Sequence, residues 1–272
     1  MAKRYIWNIF PLLAILLLAT WFVAYAQAPN NNVAGQDVVQ ILPAEPLIIS
    51  GITSVQVSSC HYSSSIPQNS DYIESNPDKE LCFRLFVTPE DQSIKALAAQ
   101  ISKPRDAYQM AVQWVYVSDE ELNHTTDKWL TPHEFLANTP HYPSNPLPGK
   151  EVSDCEEKAN ALVSLIRAEG IRPEEVRVAL GRVKFNNSET GHAWVELLTG
   201  DQWVSLDPSW GPYWDGQAGK LIRTRGISFD YYGSHNYPAL QVWAYYNDIY
   251  YLDPGDGSGN APASWLKTTL AK

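Results

Sequence analysis

The sequence predicts an α+β fold in which a helix with a cysteine in its first turn packs on an antiparallel sheet. Residues 151–171, E-V-S-D-C-E-E-K-A-N-A-L-V-S-L-I-R-A-E-G-I, place Ala159, Leu162 and Ile166 behind Cys155 at helical spacing. Residues 189–198 and 202–207 are rich in Val, Leu and Trp and flank Gly200-Asp201, a hairpin turn signal. Hydrophobic residues make up 44% of the 272, ample for a core in one large domain or one domain with an added lobe.

Residues 1–26 open with Lys3 and Arg4, run uncharged from Tyr5, and close on Ala24-Tyr25-Ala26. That is the form of a signal peptide with a small-residue cleavage site. The run is also long enough to span a bilayer, so an uncleaved membrane anchor fits too. Either way the basic end stays in the cytoplasm and the rest is exported. Residues 27–46, rich in Asn, Gln, Ala and Pro, read as a linker.

Residues 47–103 are expected to hold strands and a helix. Leu47–Ser58 and Glu80–Val87 read as strands around a polar loop at 61–79, and they bracket Cys60 and Cys82. In an exported protein these two cysteines suit a disulfide, leaving Cys155 as the odd thiol; two buried, reduced cysteines are the alternative. Thr88-Pro89-Glu90-Asp91 is a helix start, with helix expected to about Ser102.

Residues 104–215 hold the candidate chemistry. Pro104 begins a helix with Ala107, Met110, Ala111, Trp114 and Val115 on its apolar side, Met110 and Trp114 being core. In Asp127–Leu136, Thr131-Pro132 starts a short helix and Glu134 completes a capping box. Trp129 in this segment either lines a cleft, helps an oxyanion site, or packs. His133 is a rival base in principle, expected to be exposed. Four prolines in residues 137–150 mark a loop leading to Cys155.

Ser153 followed by Glu156 is a second capping box, and Gly170 stands where the helix should stop. Cys155 then lies where free backbone N–H groups and the helix dipole favour a thiolate. Asp154, Glu156 and Glu157 oppose that shift, so a cationic partner is needed. Residues 176–180 and 183–185 read as strands flanking Gly181-Arg182, and 186–190 as a turn. If Thr199 faces Gln202 in the hairpin, Asp207 lies opposite Trp194 with His192 diagonal on the same face. A slip of one residue would send Asp207 to the other face. Cys155, His192 and Asp207 are then a nucleophile, a general base and an orienting carboxylate. A zinc site built from the same three lacks the short paired-ligand spacing such sites use, so no metal and no cofactor are expected.

The blocks D-C-x-x-K-A-x-x-L-x-x-L-I-R-A-x-G-I, G-H-A-W-V-E and W-x-x-L-D-P occur in that order and resemble the core of the transglutaminase-like superfamily. The resemblance covers roughly residues 105–215. It implies a papain-like arrangement with Cys155, His192 and Asp207 at the triad positions, and thiol acyl-transfer chemistry on amide or peptide bonds. Relatives include peptidases, amidases, protein-glutamine cross-linking transferases and inactive members. Hydrolysis of a peptide or protein substrate is the favoured reading; amine transfer and a non-catalytic binding module stand as alternatives.

Residues 216–259 continue an aromatic-rich stretch, with twelve aromatic side chains between 210 and 251. They form either an extra packing layer or a binding groove; Trp194 and Trp210, with Trp129, are the candidates for substrate contact. Asp253-Pro-Gly-Asp-Gly-Ser-Gly reads as a loop, lacking the ligand run of an EF-hand. Residues 260–272 are expected to be a loosely ordered tail. Asn123-His124-Thr125 and Asn186-Asn187-Ser188 match the glycosylation sequon.

The formal charge is −10, and without Lys3 and Arg4 it is 18 basic against 30 acidic residues, or −12. Such a surface repels nucleic acid and anionic lipid, so no nucleic-acid partner is expected, and membrane contact only through residues 1–26.

Overall fold

The computed structural model describes residues 79–186 and 188–266. The signal or anchor segment, the linker, the strand expected at 47–58, and Cys60 lie outside the described residues. Among those described, no helix is long and apolar enough to cross a membrane.

The first element corrects an expectation. Residues read as strand form helix α1 (Lys79–Arg84), with Glu80 and Arg84 paired one turn apart. A short apolar run does not by itself separate strand from helix. Here Phe83 stacks on Tyr246 and Tyr251, with ring centroids 5.1 and 5.7 Å away, and tertiary packing decides. The next helix, α2 (Gln92–Ala98), is shorter than expected. Its cap is Asp91 rather than Thr88, because the Asp91 carboxylate accepts from the N–H groups of Ser93 (2.8 Å) and Ile94 (3.4 Å). Helix α3 (Pro104–Ala111) starts at its proline but ends before Trp114. Val115 belongs to strand β1 (Val115–Tyr116), and Trp114 is buried edge-on against Phe135.

A single turn, α4 (Asp119–Leu122), follows. The capping box at Thr131 forms as expected: the Thr131 N–H and hydroxyl both donate to Glu134 at 2.8 Å, and the Glu134 N–H donates back at 3.3 Å. It opens a wide, π-helical turn at Glu134–Asn138. Strand β2 (Val152–Ser153) then pairs parallel with β1 and delivers the chain to helix α5 (Cys155–Ala168). The capping box expected at Ser153 does not form. Ser153 is committed to the β1 pairing, Asp154 takes the cap position without a side-chain bond, and the Ser153 hydroxyl donates to Glu157 at 2.8 Å. At the other end Gly170 has φ +95°, and the N–H groups of Gly170 and Ile171 close on Arg167 and Ile166. Only glycine takes that conformation without strain.

The main sheet has the order β5-β4-β3-β8-β9 and is antiparallel throughout. Its members are β3 (Val176–Phe185), β4 (Ser188–Thr199), β5 (Gln202–Leu206), β8 (Ala239–Tyr246) and β9 (Tyr251–Leu252). Where two strands were expected around Gly181-Arg182, β3 runs unbroken. Gly181 is there for space: a Cβ would lie 2.1 Å from the Gln241 carbonyl oxygen of β8, beside a register shift. Strands β6 (Tyr213–Asp215) and β7 (Lys220–Ile222) extend a small second sheet from β1, and a short helix, α6 (Phe229–Tyr232), precedes β8.

Helix α5 covers one face of the main sheet, where Val176, Val178, Leu180, Ala193, Val195 and Leu197 meet Leu162 and Ile166. The other face is aromatic. Arg177 is fully buried there, 3.6 Å from the Tyr245 ring centroid and 4.0 Å from that of Trp203, and is paired with Glu196 at 2.6 Å. The expected loose tail is corrected through residue 266: Trp265 is fully buried against this cluster, and its carbonyl accepts from Arg177 at 2.9 Å.

Candidate active site

Three elements bring the expected residues to one end of the sheet. The β4–β5 hairpin closes with Thr199 opposite Gln202, the register that sets Asp207 beside His192. The imidazole Nε2 lies 2.9 Å from Asp207 Oδ2. Asp207 is fully buried, yet its pKa is lowered. Burial alone would raise it, but the charge and hydrogen bond of His192, the Tyr237 hydroxyl and the Ser209 N–H outweigh that cost. The carboxylate is therefore ionised and Nε2 carries the donated proton, which leaves Nδ1 as the nitrogen able to take another. Burial likewise pulls the His192 pKa down, but the charge and hydrogen bond of Asp207, with the charge of Glu156, bring it above its usual value.

Cys155 is the first residue of α5 and 8% exposed. The backbone N–H of Ala193, next to His192, favours the charged form of its sulfur. The thiol itself donates to Glu156 Oε2 at 3.1 Å. The expectation of a favoured thiolate is corrected here. Burial pushes the Cys155 pKa well up, and the carboxylates of Glu156 and Asp154 add to it, more than the Ala193 N–H recovers.

The neighbourhood holds features that sequence reading missed. Lys158, one turn along α5, is fully buried and donates to the Trp114 carbonyl at 2.8 Å. Burial lowers its pKa to about 7, against the pull of Asp207, Cys155 and Asp154. Glu157 is buried too, accepting from the Leu130 N–H (2.7 Å) and the Ser153 hydroxyl; burial and Glu156 raise its pKa to about 8. Tyr237 donates to Asp207 Oδ2 at 2.7 Å, and the Tyr232 hydroxyl donates to the Asp207 carbonyl at 3.2 Å. The Tyr108 hydroxyl donates to the Ile227 carbonyl at 2.9 Å, with the Asp207 carbonyl 3.3 Å away. A buried acid near so many tyrosines was readable only as aromatic composition.

Among the three candidate tryptophans, Trp194 is fully buried and packs on Tyr237, which excludes the substrate contact expected of it. Trp129 lies in the ring cluster of Phe83, Phe86 and Tyr246. Trp210 is 38% exposed and set edge-on against Phe185, which in turn stands edge-on to His192. His133 lies away from this group, 3.3 Å from Asp91 and largely exposed.

A cysteine thus opens a helix and a histidine–aspartate pair stands on a hairpin, on a mixed helix and antiparallel-sheet scaffold. Residues 95–208 match the family model of the transglutaminase-like superfamily, so the resemblance read from the three motif blocks holds over that core. Among solved structures, calcium-bound LapG of Legionella pneumophila is 14% identical, with a TM-score of 0.38 over 64% of this chain and 82% of that one. EGTA-treated LapG of the same organism is 15% identical, with a TM-score of 0.38 over 66% and 95%. No curated protein matches the chain.

Proposed function

We propose that this chain is an exported cysteine enzyme that hydrolyses an amide or peptide bond of a peptide or protein through Cys155, His192 and Asp207. The single observation carrying the reading is the His192–Asp207 bond of 2.9 Å, on the strand whose next residue, Ala193, turns its backbone N–H to the Cys155 sulfur. Because the resting thiol holds its proton, attack and deprotonation go together. Sulfur adds to the carbonyl carbon as Nδ1 of His192 takes the thiol proton, and Asp207 steadies the imidazolium. The Cys155 N–H at the helix start is the natural donor to the oxyanion. Collapse breaks the C–N bond, and the imidazolium gives its proton to the leaving amine. Water then cleaves the thioester by the same base, returning the thiol and releasing a carboxylic acid. Export is supported by the form of residues 1–26 and by Cys82, which is disulfide-bonded; Cys60 is its proposed partner. The exposed Trp210 edge beside Phe185 is the proposed wall for the substrate chain.

The Glu156 contact on the thiol is the observation that favours the other reading, a non-catalytic scaffold. Iodoacetamide labelling with peptide mapping separates the two. A catalytic pair gives Cys155 labelling near pH 7 that falls at least about ten-fold in His192→Ala, since the base is what frees the sulfur. Equal, slow labelling of both proteins would leave only the scaffold.

A further inference from the structure

One group at this site has no part in the mechanism above. Asp207 is bonded at every acceptor: Oδ1 by the Ser209 N–H at 2.9 Å, Oδ2 by His192 and by Tyr237, and the carbonyl by Tyr232, with the Tyr108 hydroxyl nearby but donating to Ile227. The Tyr237 hydroxyl is unlike the other two tyrosines because it shares the very oxygen that the imidazole uses. Two donors on one carboxylate oxygen compete for the same electron density, so each weakens the hold of the other. Tyr237 is itself fixed from two sides, its ring 5.0 Å from Trp194 and 6.3 Å from Phe185.

We propose that Tyr237 is a positioning residue of this site, whose hydroxyl on Asp207 Oδ2 limits how tightly the carboxylate grips the His192 imidazolium. Without that hydroxyl the carboxylate would bind the charged imidazole harder and release its proton only at higher pH. A general base must be neutral to accept the thiol proton, so the tyrosine keeps the base available near neutrality. It acts against other charges facing the ring: Glu156 from α5 supports the imidazolium, and Lys158 from the same helix opposes it. Asp207 meets the hydroxyls of Tyr108 from α3 and Tyr232 from α6 only at its carbonyl, so neither replaces the lost donor. Tyr237 also explains a use for the aromatic stretch after residue 210, which closes over the acid rather than only filling space.

The inference rests on the proposed role of His192, but its test reads the imidazole directly. Tyr237→Phe removes one oxygen and keeps the ring that packs on Trp194. The His192 ring proton is followed by NMR across pH in both proteins, alongside the pH profile of Cys155 labelling by iodoacetamide. The expected result is an upward shift of the His192 titration by about one pH unit, the size of one hydrogen bond to a charged group. The acid limb of labelling should move with it. A titration that stays put or moves down, even if the variant melts earlier, overturns the proposal and leaves Tyr237 a packing residue. A shifted titration with no His192-dependent labelling upholds this inference while sinking the enzyme reading.

Discussion

Asp207 at the end of β5 and the cluster of carboxylates at the start of α5 differ in what their partners do to them. At the end of β5, Asp207 is fully buried, which would raise its pKa, yet it is lowered, first by the charge of His192 and then by hydrogen bonds from the imidazole, the Tyr237 hydroxyl and the Ser209 N–H. At the start of α5, Asp154, Glu157 and nearby Asp119 are crowded together with Glu156. There the pKa of Asp119 is raised to about 6 and that of Glu157 to about 8, with burial the leading cause in each and Glu156 adding to both. Asp154 is pushed well above the carboxylate range for the same reasons. Glu157 also accepts two hydrogen bonds, from the Leu130 N–H and the Ser153 hydroxyl. The difference therefore teaches that a cationic partner on one side and like-charged neighbours on the other, rather than depth, decide whether a buried acid stays charged. One carboxylate group can orient a base; the other holds protons, and its charge, where present, restrains the thiol.

Breaking the well-donated side should have the largest effect. Asp207→Asn keeps the shape of the side chain but offers an N–H where His192 Nε2–H needs an acceptor, favouring the wrong tautomer. Turnover, once a substrate is in hand, is expected to fall by about 10³- to 10⁴-fold with little change in fold. A loss under ten-fold would remove Asp207 from the mechanism.

The crowded side offers a smaller, opposite change. Glu156→Gln removes a charge from the atom that accepts the Cys155 S–H, so thiolate should form more readily. Iodoacetamide labelling of Cys155 at pH 7 should rise about ten-fold. An unchanged rate would mean that burial alone sets the thiol.

Stability should show the contrast last. The folded pKa of Glu157 lies above its unfolded value, so between about pH 4.5 and 8 the folded chain holds a proton that the unfolded chain has released. Its effect on stability is therefore neutral at low pH and increasingly unfavourable as pH rises to the folded value. Glu157→Gln should melt like the parent near pH 4.5 and gain about 1–3 kcal/mol by pH 8. Lys158, lowered to about 7, titrates with the opposite sign above that pH, so the comparison is between variant and parent at each pH. Parallel melting curves across the range would show that Glu157 is charged throughout.

Much of this was legible beforehand. The period-2 and period-3.6 patterns locate α5, β4 and β5, and the turn chemistry of Gly200-Asp201 fixes the register that joins His192 to Asp207. Local rules failed where a second element had already claimed the residue. Ser153 could not cap because β1 holds its backbone, and Glu80–Val87 became helix because Phe83 had rings to stack on. Trp194 is alternate to Ala193 on β4, but which face is open to substrate depends on Tyr237, far along the chain.

The sequence by itself determined which cysteine, histidine and aspartate form the proposed triad, and the hairpin that couples the last two, because each depends on spacing within one or two neighbouring elements. Only the tertiary structure decided their protonation. The donors to Asp207 come from β4, α6 and the approach to β8, and Asp154 beside Cys155 feels acids of both α4 and α5. Electrostatic environment is a sum over groups distant in sequence, and a linear chain does not show which of them will meet.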